Sequence, residues 1–306
     1  MSVALITGGH GYVGSHLQDE LRSRGWDVVA LGHRPGSAGG RTLDVSDVAA
    51  VSACVDEVRP DVVFHLAATH TLDAGRTVAD VVEQTLAASR GLGLGLRQAG
   101  RSAVRVVHAG SSAQYGAVPM EHNPVTETTA PAPVNAYGFA KLAAESVLCG
   151  LAADGAFEVI PARAFNHIGP GERATTVSGA FAARIRDVLA GQATRVAAAD
   201  LEAVRDFTDV RDIARGYVDL AERGVAGRVY NLCSGRPTTV GDVLDALLMA
   251  AGLDRSVVDV TPTALGARGG RISYQVGSPE RVRQEIGWAA TIGLEQSAKD
   301  LLEGLA

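Results

Sequence analysis

Tyr137 and Lys141 stand four residues apart in the run Ala136-Tyr137-Gly138-Phe139-Ala140-Lys141. Residues 137–151 have the patterning of a helix, and at that spacing both side chains lie on one face. An ammonium beside a phenol favours the phenolate, so the pair predicts a tyrosine of lowered pKa. Such a tyrosine is suited to exchange a proton with a carbinol or carbonyl oxygen. The same spacing arises by chance in many helices, so the pair signifies catalysis only in the right setting.

The start of the chain supplies a setting. Residues 3–6 form an apolar run long enough for a buried strand, followed by Thr7-Gly8-Gly9-His10-Gly11-Tyr12-Val13-Gly14 and an amphipathic segment over 13–24. Strand, glycine turn and helix is the context of a dinucleotide fingerprint. In it Gly8 permits the tight turn, Gly11 lets the backbone approach a pyrophosphate, and Gly14 lets the helix pack close to the strand. The helix N-terminus then faces the phosphates. A second strand is expected over 27–31. It ends in Leu31-Gly32-His33-Arg34-Pro35, with no acid to bind the 2′-hydroxyl of NAD. Arg34 suits a 2′-phosphate, which favours NADP(H), and the alternative is an exposed loop arginine.

The remaining elements are those needed to carry these groups. Strands are expected over 61–66, 104–109, 157–162 and 228–232. Helices are expected over 48–58, 77–98, 179–189, 212–222, 240–251 and 294–302. Gly91, Gly93 and Gly95 weaken the second half of the 77–98 helix unless they serve close packing. A polar, proline-rich loop through Pro119, Pro124, Pro131 and Pro133 delivers the chain to Tyr137. Alternating strand and helix imply an α/β, Rossmann-type doubly wound parallel sheet. The expected division is a dinucleotide-binding domain of residues 1–164 and 207–233, with a smaller mixed α/β substrate lobe of 165–206 and 234–306.

Composition removes other classes of function. The 306 residues are 46% hydrophobic and carry a formal net charge of -6, with no dominant basic stripe, so nucleic acid is not an expected partner. Cys54, Cys149 and Cys233 are too dispersed for a zinc site or a disulfide framework, and no metal is expected. The N-terminus has no secretory pattern and no apolar run is long enough to span a bilayer, so a cytoplasmic protein is expected.

Taken together, these segments resemble the extended short-chain dehydrogenase/reductase family over essentially the whole chain. The likeness rests on the glycine fingerprint, Asp44-Val45, His65-Leu66-Ala67-Ala68, Ser111 ahead of Tyr115-Gly116, Tyr137 with Lys141, Asn166, and Arg205-Asp206. Within the family, residues 165–171, 201–212 and 230–235 resemble the branch that reduces 4-keto sugar nucleotides. The resemblance implies that Gly8, Gly11, Tyr12, Val13 and Gly14 cradle the cofactor, with Asp44 and Val45 flanking its adenine and Leu66, Ala67 and Ala68 beside it. It implies that Lys141 binds the nicotinamide ribose, that Tyr137 protonates a C4 ketone, and that Ser111 orients the same oxygen. Ser112, Asn166, Arg205 and Arg271 would contact a GDP- or dTDP-linked sugar. An ion pair of Arg205 with Asp206 or Asp209 is the alternative for that residue, and a surface position the alternative for Arg271. The matching helices, 77–98 and 137–151, form a four-helix homodimer contact in the family.

Departures from the family narrow the chemistry. Sugar-nucleotide dehydratases of this family carry an acid pair where this chain has Ser112 and Ala113. Its epimerase-reductases carry a cysteine at Ala113 and a histidine near Ser178. Neither elimination nor ring epimerisation is therefore implied, and NADPH-dependent reduction of a 4-keto-6-deoxyhexose remains. Gln84 replaces a common Asn. The alternatives are an NAD-dependent sugar-nucleotide 4-epimerase using the same three residues, and a dinucleotide-binding sensor without turnover.

Overall fold

A computed structural model describes residues 2–32, 41–68, 77–101, 103–261 and 272–304. In chain order its elements are β1 (Val3–Thr7), α1 (Tyr12–Ser23), β2 (Asp27–Gly32), β3 (Arg41–Thr42), α2 (Val48–Val58), β4 (Val62–His65), α3 (Val78–Ala99), β5 (Arg105–Ser111), α4 (Ala136–Leu151) and β6 (Glu158–Ala164). There follow β7 (Asn166–Ile168), α5 (Val177–Leu189), β8 (Val196–Ala198), β9 (Val204–Asp209), α6 (Val210–Arg223), β10 (Tyr230–Leu232), β11 (Pro237–Thr239), α7 (Val240–Ala250), β12 (Val258–Val260), β13 (Tyr274–Gln275), α8 (Glu280–Ile286) and α9 (Leu294–Glu303).

The main sheet is seven-stranded, in the order β10-β6-β5-β4-β1-β2-β3, and every pairing in it is parallel. Such a sheet is apolar on both faces because helices cover both. Strand alternation divides the core accordingly. Ala4 and Ile6 of β1 pack with Leu17 and Leu21 of α1 and Ile213 and Tyr217 of α6. Leu5, between them, joins Val51 and Val55 of α2 and Leu92 and Leu96 of α3. Each fully buried leucine contributes about 2 kcal/mol. Strand order reverses between β1 and β4, so their carboxyl ends open the crevice where ligands of such sheets bind.

Caps fix the helices that bear the site. Asn135 Oδ1 accepts from Gly138 N at 2.8 Å and starts α4 just ahead of Tyr137. Thr77 and Asp80 form a reciprocal capping box on α3. The α3 glycines do not end that helix. A Cβ on Gly91 would lie 2.2 Å from Val45 O, one on Gly93 2.6 Å from Leu151 Cδ1, and one on Gly95 2.4 Å from Val51 Cγ1. Close packing outweighs their low helix propensity.

A smaller sheet, β11-β9-β13 with β7 also on β9, stands apart, as does the β8–β12 pair. A separate core, including Phe181, Ile185, Val243, Leu244, Leu247 and Leu301, packs α5, α7 and α9 together. The chain leaves β9 directly into α6, so residues 207–209 lie in the smaller sheet while α6 and β10 belong with the larger one. Val282, Ile286 and Trp288, in and after α8, also pack into the larger sheet's core. Among the described residues no helix is long and apolar enough to cross a membrane.

Candidate active site

Strand β5 delivers Ser111 and helix α4 delivers Tyr137 and Lys141. The two elements approach closely because position 138 is glycine: a Cβ there would lie 2.4 Å from Ala113 O. Tyr137 is hydrogen-bonded to Ser111. The Lys141 ammonium is buried, lies 5.8 Å from the Tyr137 ring centroid, and donates to Ala109 O at 2.7 Å.

The electrostatics correct one expectation. Burial pushes the Tyr137 phenol up to about 12, and the bond to Ser111 offsets this only in part. Lys141 faces the ring and a carbonyl, so it does not lower the phenol as its spacing suggested. Burial instead pulls the Lys141 ammonium down to about 8. In this state Tyr137 is a proton donor at neutral pH.

The glycine turn has the shape a dinucleotide requires. Gly8 adopts φ +71°, and a Cβ on it would lie 3.0 Å from Ala67 N. A Cβ on Gly14 would lie 2.5 Å from Gly9 O, so only glycine lets α1 start this close to β1. Gly11 caps α1, and among the described residues a Cβ there would meet only Gly8 O within 4 Å, at 3.1 Å. The Tyr12 hydroxyl donates to Gly169 O at 3.3 Å, and Val13 packs against the core. Leu66, Ala67 and Ala68 are half-buried beside Gly8, with Ala67 N donating to Thr7 Oγ1 at 3.3 Å. Asp44 is exposed, and its Oδ1 accepts from Ser46 N and Oγ at 2.9 and 2.7 Å, while Val45 is buried beneath it. These residues fit a dinucleotide along the β1–β4 crevice. Arg34 and Arg271 lie outside the described residues.

Toward the smaller sheet, Arg205 makes no ion pair with Asp206 or Asp209. Its Nη1 donates to Val204 O at 2.8 Å and its Nη2 to Ile272 O at 2.5 Å. Asp206 is buried and accepts from Ser234 N, Ser234 Oγ, Gly235 N and Gly277 N. Asp209 is held by Arg211. Burial lowers the Arg205 pKa, with no carboxylate among the described residues to offset it. A partly buried guanidinium whose partners are carbonyls is suited to an incoming anion. Asn166 is half-buried at the start of β7, beside β9. Ser112 is buried, and its carbonyl accepts from Gln275 Nε2 at 3.1 Å; the same nitrogen reaches Gly116 O at 3.1 Å. Gln275 is paired in register with Arg205, so one strand pair serves both the anion site and the catalytic turn.

Sequence reasoning passed over Gln275, and also Gln114, Glu145 and Arg163, which form a buried network behind Ser111. A signal existed for one of them: Glu145 continues the stripe of Tyr137 and Lys141 by four more residues.

The chain belongs to the NAD dependent epimerase/dehydratase family, whose profile matches residues 4–233. These are the extended short-chain dehydrogenase/reductases. The chain is 31% identical over 301 residues to the GDP-6-deoxy-D-mannose reductase of Pseudomonas aeruginosa, covering 97% of this chain and 95% of that one. The structure of RMD from Pseudomonas aeruginosa complexed with NADPH matches with a TM-score of 0.87 at 30% identity, over 99% of this chain and 98% of that one. The UDP-glucose 4-epimerase of Thermus thermophilus, in complex with NAD, matches with a TM-score of 0.84 at 28% identity, over 99% and 98%. The protein is thus a nucleotide-cofactor-binding oxidoreductase of a family that modifies sugar nucleotides.

Proposed function

We propose that the protein reduces the C4 ketone of a nucleotide-linked 4-keto-6-deoxyhexose with NADPH, in deoxysugar biosynthesis. The carrying observation is a phenol held protonated against Ser111, with no acid at Ser112 or Ala113. Reduction of a ketone requires a proton donor at the oxygen, and this site has one at neutral pH. When bound, the nicotinamide supplies the hydride. Tyr137 then protonates the ketone oxygen, Ser111 orients that oxygen, and Lys141 binds the cofactor ribose. Gly8, Gly11, Tyr12, Val13 and Gly14 hold the pyrophosphate, Asp44 and Val45 the adenine end, and Leu66 to Ala68 line the crevice. Arg34 takes the 2′-phosphate. Ser112, Asn166, Arg205 and Arg271 grip the nucleotide sugar, which makes 165–206 and 234–306 chiefly the substrate lobe.

The test is a screen of GDP- and dTDP-linked 4-keto-6-deoxy sugars, following oxidation of NADPH and of NADH and the product stereochemistry by NMR. Consumption of NADPH in preference to NADH is expected with one of them. No oxidation with any keto sugar nucleotide would refute the reading. Tightly co-purified NAD without net NADPH consumption would point to a 4-epimerase, the activity of several relatives at 26–28% identity.

Arg205→Leu is expected to raise the KM for the nucleotide sugar about tenfold or more, with a smaller effect on kcat. A charge-assisted bond to phosphate contributes about 1.5–3 kcal/mol, and it forms equally in the ground and transition states. An unchanged KM would remove Arg205 from the diphosphate site.

Assembly is proposed to be a homodimer through α3 and α4, whose exposed apolar residues include Val78 and Phe139, at 55% and 53% exposure. Light scattering that finds only monomer at micromolar concentration would refute it. The proposed compartment is the cytoplasm, consistent with three unpaired thiols.

A further inference from the structure

We propose that Gln114 is a positioning residue that sets the orientation of Ser111 by tying its peptide N–H to a buried ion pair on the Tyr137 helix. Its kinetic consequence rests on the reductase reading. Gln114 is fully buried. Its Oε1 accepts from Ser111 N at 2.7 Å, and its Nε2 donates to Glu145 Oε2 at 2.7 Å. Glu145 in turn accepts from Arg163 Nη2 at 2.5 Å and Nε at 3.1 Å. One end of Gln114 meets a group that only donates, and the other a carboxylate that only accepts. The amide therefore has a single satisfied orientation. The space it occupies exists because position 110 is glycine: a Cβ there would lie 2.7 Å from Gln114 Oε1 and 3.1 Å from Arg163 Cγ.

The consequence falls on the serine hydroxyl. Ser111 Oγ already accepts from Ala113 N at 3.2 Å, completing a reciprocal cap with Gln114. With the peptide N–H and one oxygen lone pair engaged, the hydroxyl is held toward Tyr137. Glu145 sits on α4, one turn beyond Lys141, so Gln114 also holds the serine turn and the tyrosine helix in fixed register. Small displacements of such groups cost rate far more than binding.

Two substitutions test this in the full-length protein. Gln114→Met keeps the length of the side chain and removes both hydrogen bonds. In Gln114→Glu a protonated carboxyl accepts from Ser111 and donates to Glu145 as the amide does. Once ionised, it faces a second carboxylate. The charged or titratable groups coupled to this network are Lys141, Glu145 and Cys149 on α4, Arg163 on β6, His108 on β5, and Tyr115 and Glu127 on the segment that follows. Burial and the Glu145 charge raise the carboxyl pKa there, so the amide-like form prevails at the acid end and is lost as pH rises.

The readout is the Tyr137 ring-carbon resonance in tyrosine-labelled protein without ligand, assigned with Tyr137→Phe. Ser111→Ala defines the shift that follows loss of the serine bond. Gln114→Met is expected to reproduce that shift, and Gln114→Glu to match the native position at acid pH and depart from it as pH rises. A native resonance in Gln114→Met, or a native and pH-independent one in Gln114→Glu, would overturn the proposal. If Gln114→Met does not fold, the pH series of Gln114→Glu decides alone. With the keto sugar, kcat of Gln114→Met should fall about tenfold or more at nearly unchanged KM. Native kcat would overturn the kinetic claim. If the unsubstituted protein turns over no keto sugar, the reductase reading fails while the resonance still decides the role of Gln114.

Discussion

Tyr137→Phe is expected to lower turnover at least about a hundredfold while leaving the KM for the keto sugar and the affinity for NADPH within about twofold. The ring remains, so the packing of α4 against the serine turn is kept, and only the proton donor is lost. The pH dependence should differ between the two directions. A phenol held near 12 stays protonated across the neutral range, so the reduction rate gains no limb from Tyr137 there. The reverse oxidation needs the phenolate, so its rate should climb as pH rises. Full activity in the variant would take Tyr137 out of proton transfer. An oxidation rate that falls with rising pH would contradict the assignment of the base.

Lys141→Met should move stability and activity in opposite directions. The buried ammonium has its pKa drawn from 10.5 to about 8 by burial, a displacement that corresponds to about 3 kcal/mol of folding free energy. Loss of the bond to Ala109 O returns about 1 kcal/mol of this. The unliganded variant should therefore be about 2 kcal/mol more stable near neutral pH and melt several degrees higher. The sign follows from proton linkage. The folded protein binds the Lys141 proton more weakly than the unfolded chain, so the cost of the charge is complete below about pH 8. It diminishes as pH rises toward 10.5, and the advantage of methionine diminishes with it. Turnover should fall by more than about a hundredfold, since the ribose contact and the charge are both removed. A variant that melts lower than the parent at pH 7 would show that the ammonium is stabilised by contacts other than the carbonyl.

The backbone of the site was legible because it obeys local rules. The glycine spacing, the alternation of strand and helix, and the four-residue step from Tyr137 to Lys141 each follow from the geometry of one element. Strands such as β7, β9 and β13 escaped, since their polar residues interrupt the apolar run of a buried strand and they acquire their character only from pairing. Arg205 illustrates the difference. Its sequence neighbours Asp206 and Asp209 suggested an ion pair, yet strand alternation and the capping of nearby turns direct those carboxylates elsewhere. The Tyr137 pKa was misread for a related reason. Spacing reports which groups are neighbours, whereas the shift depends on how much water burial removes. Around Gln114, Glu145 lies on the legible stripe of α4, but Arg163 was invisible because it approaches from the next strand, a relation only the tertiary fold creates.

The hydrogen bonds from Gln275 to Ser112 and Gly116 also bear on how the protein is made. They close a loop of about 160 residues, and parallel pairing of distant strands is slow because chain entropy is lost before contacts are gained. During synthesis β1 to β6 emerge first and can assemble outward from β1, and the outer strand β10 and then β13 follow them. The clamp on the serine turn therefore depends on a strand made after the strands β1 to β6 that bear the turn. Without β13 the serine turn would lose this clamp, although β1 and β4, whose ends form the crevice, lie far earlier in the chain.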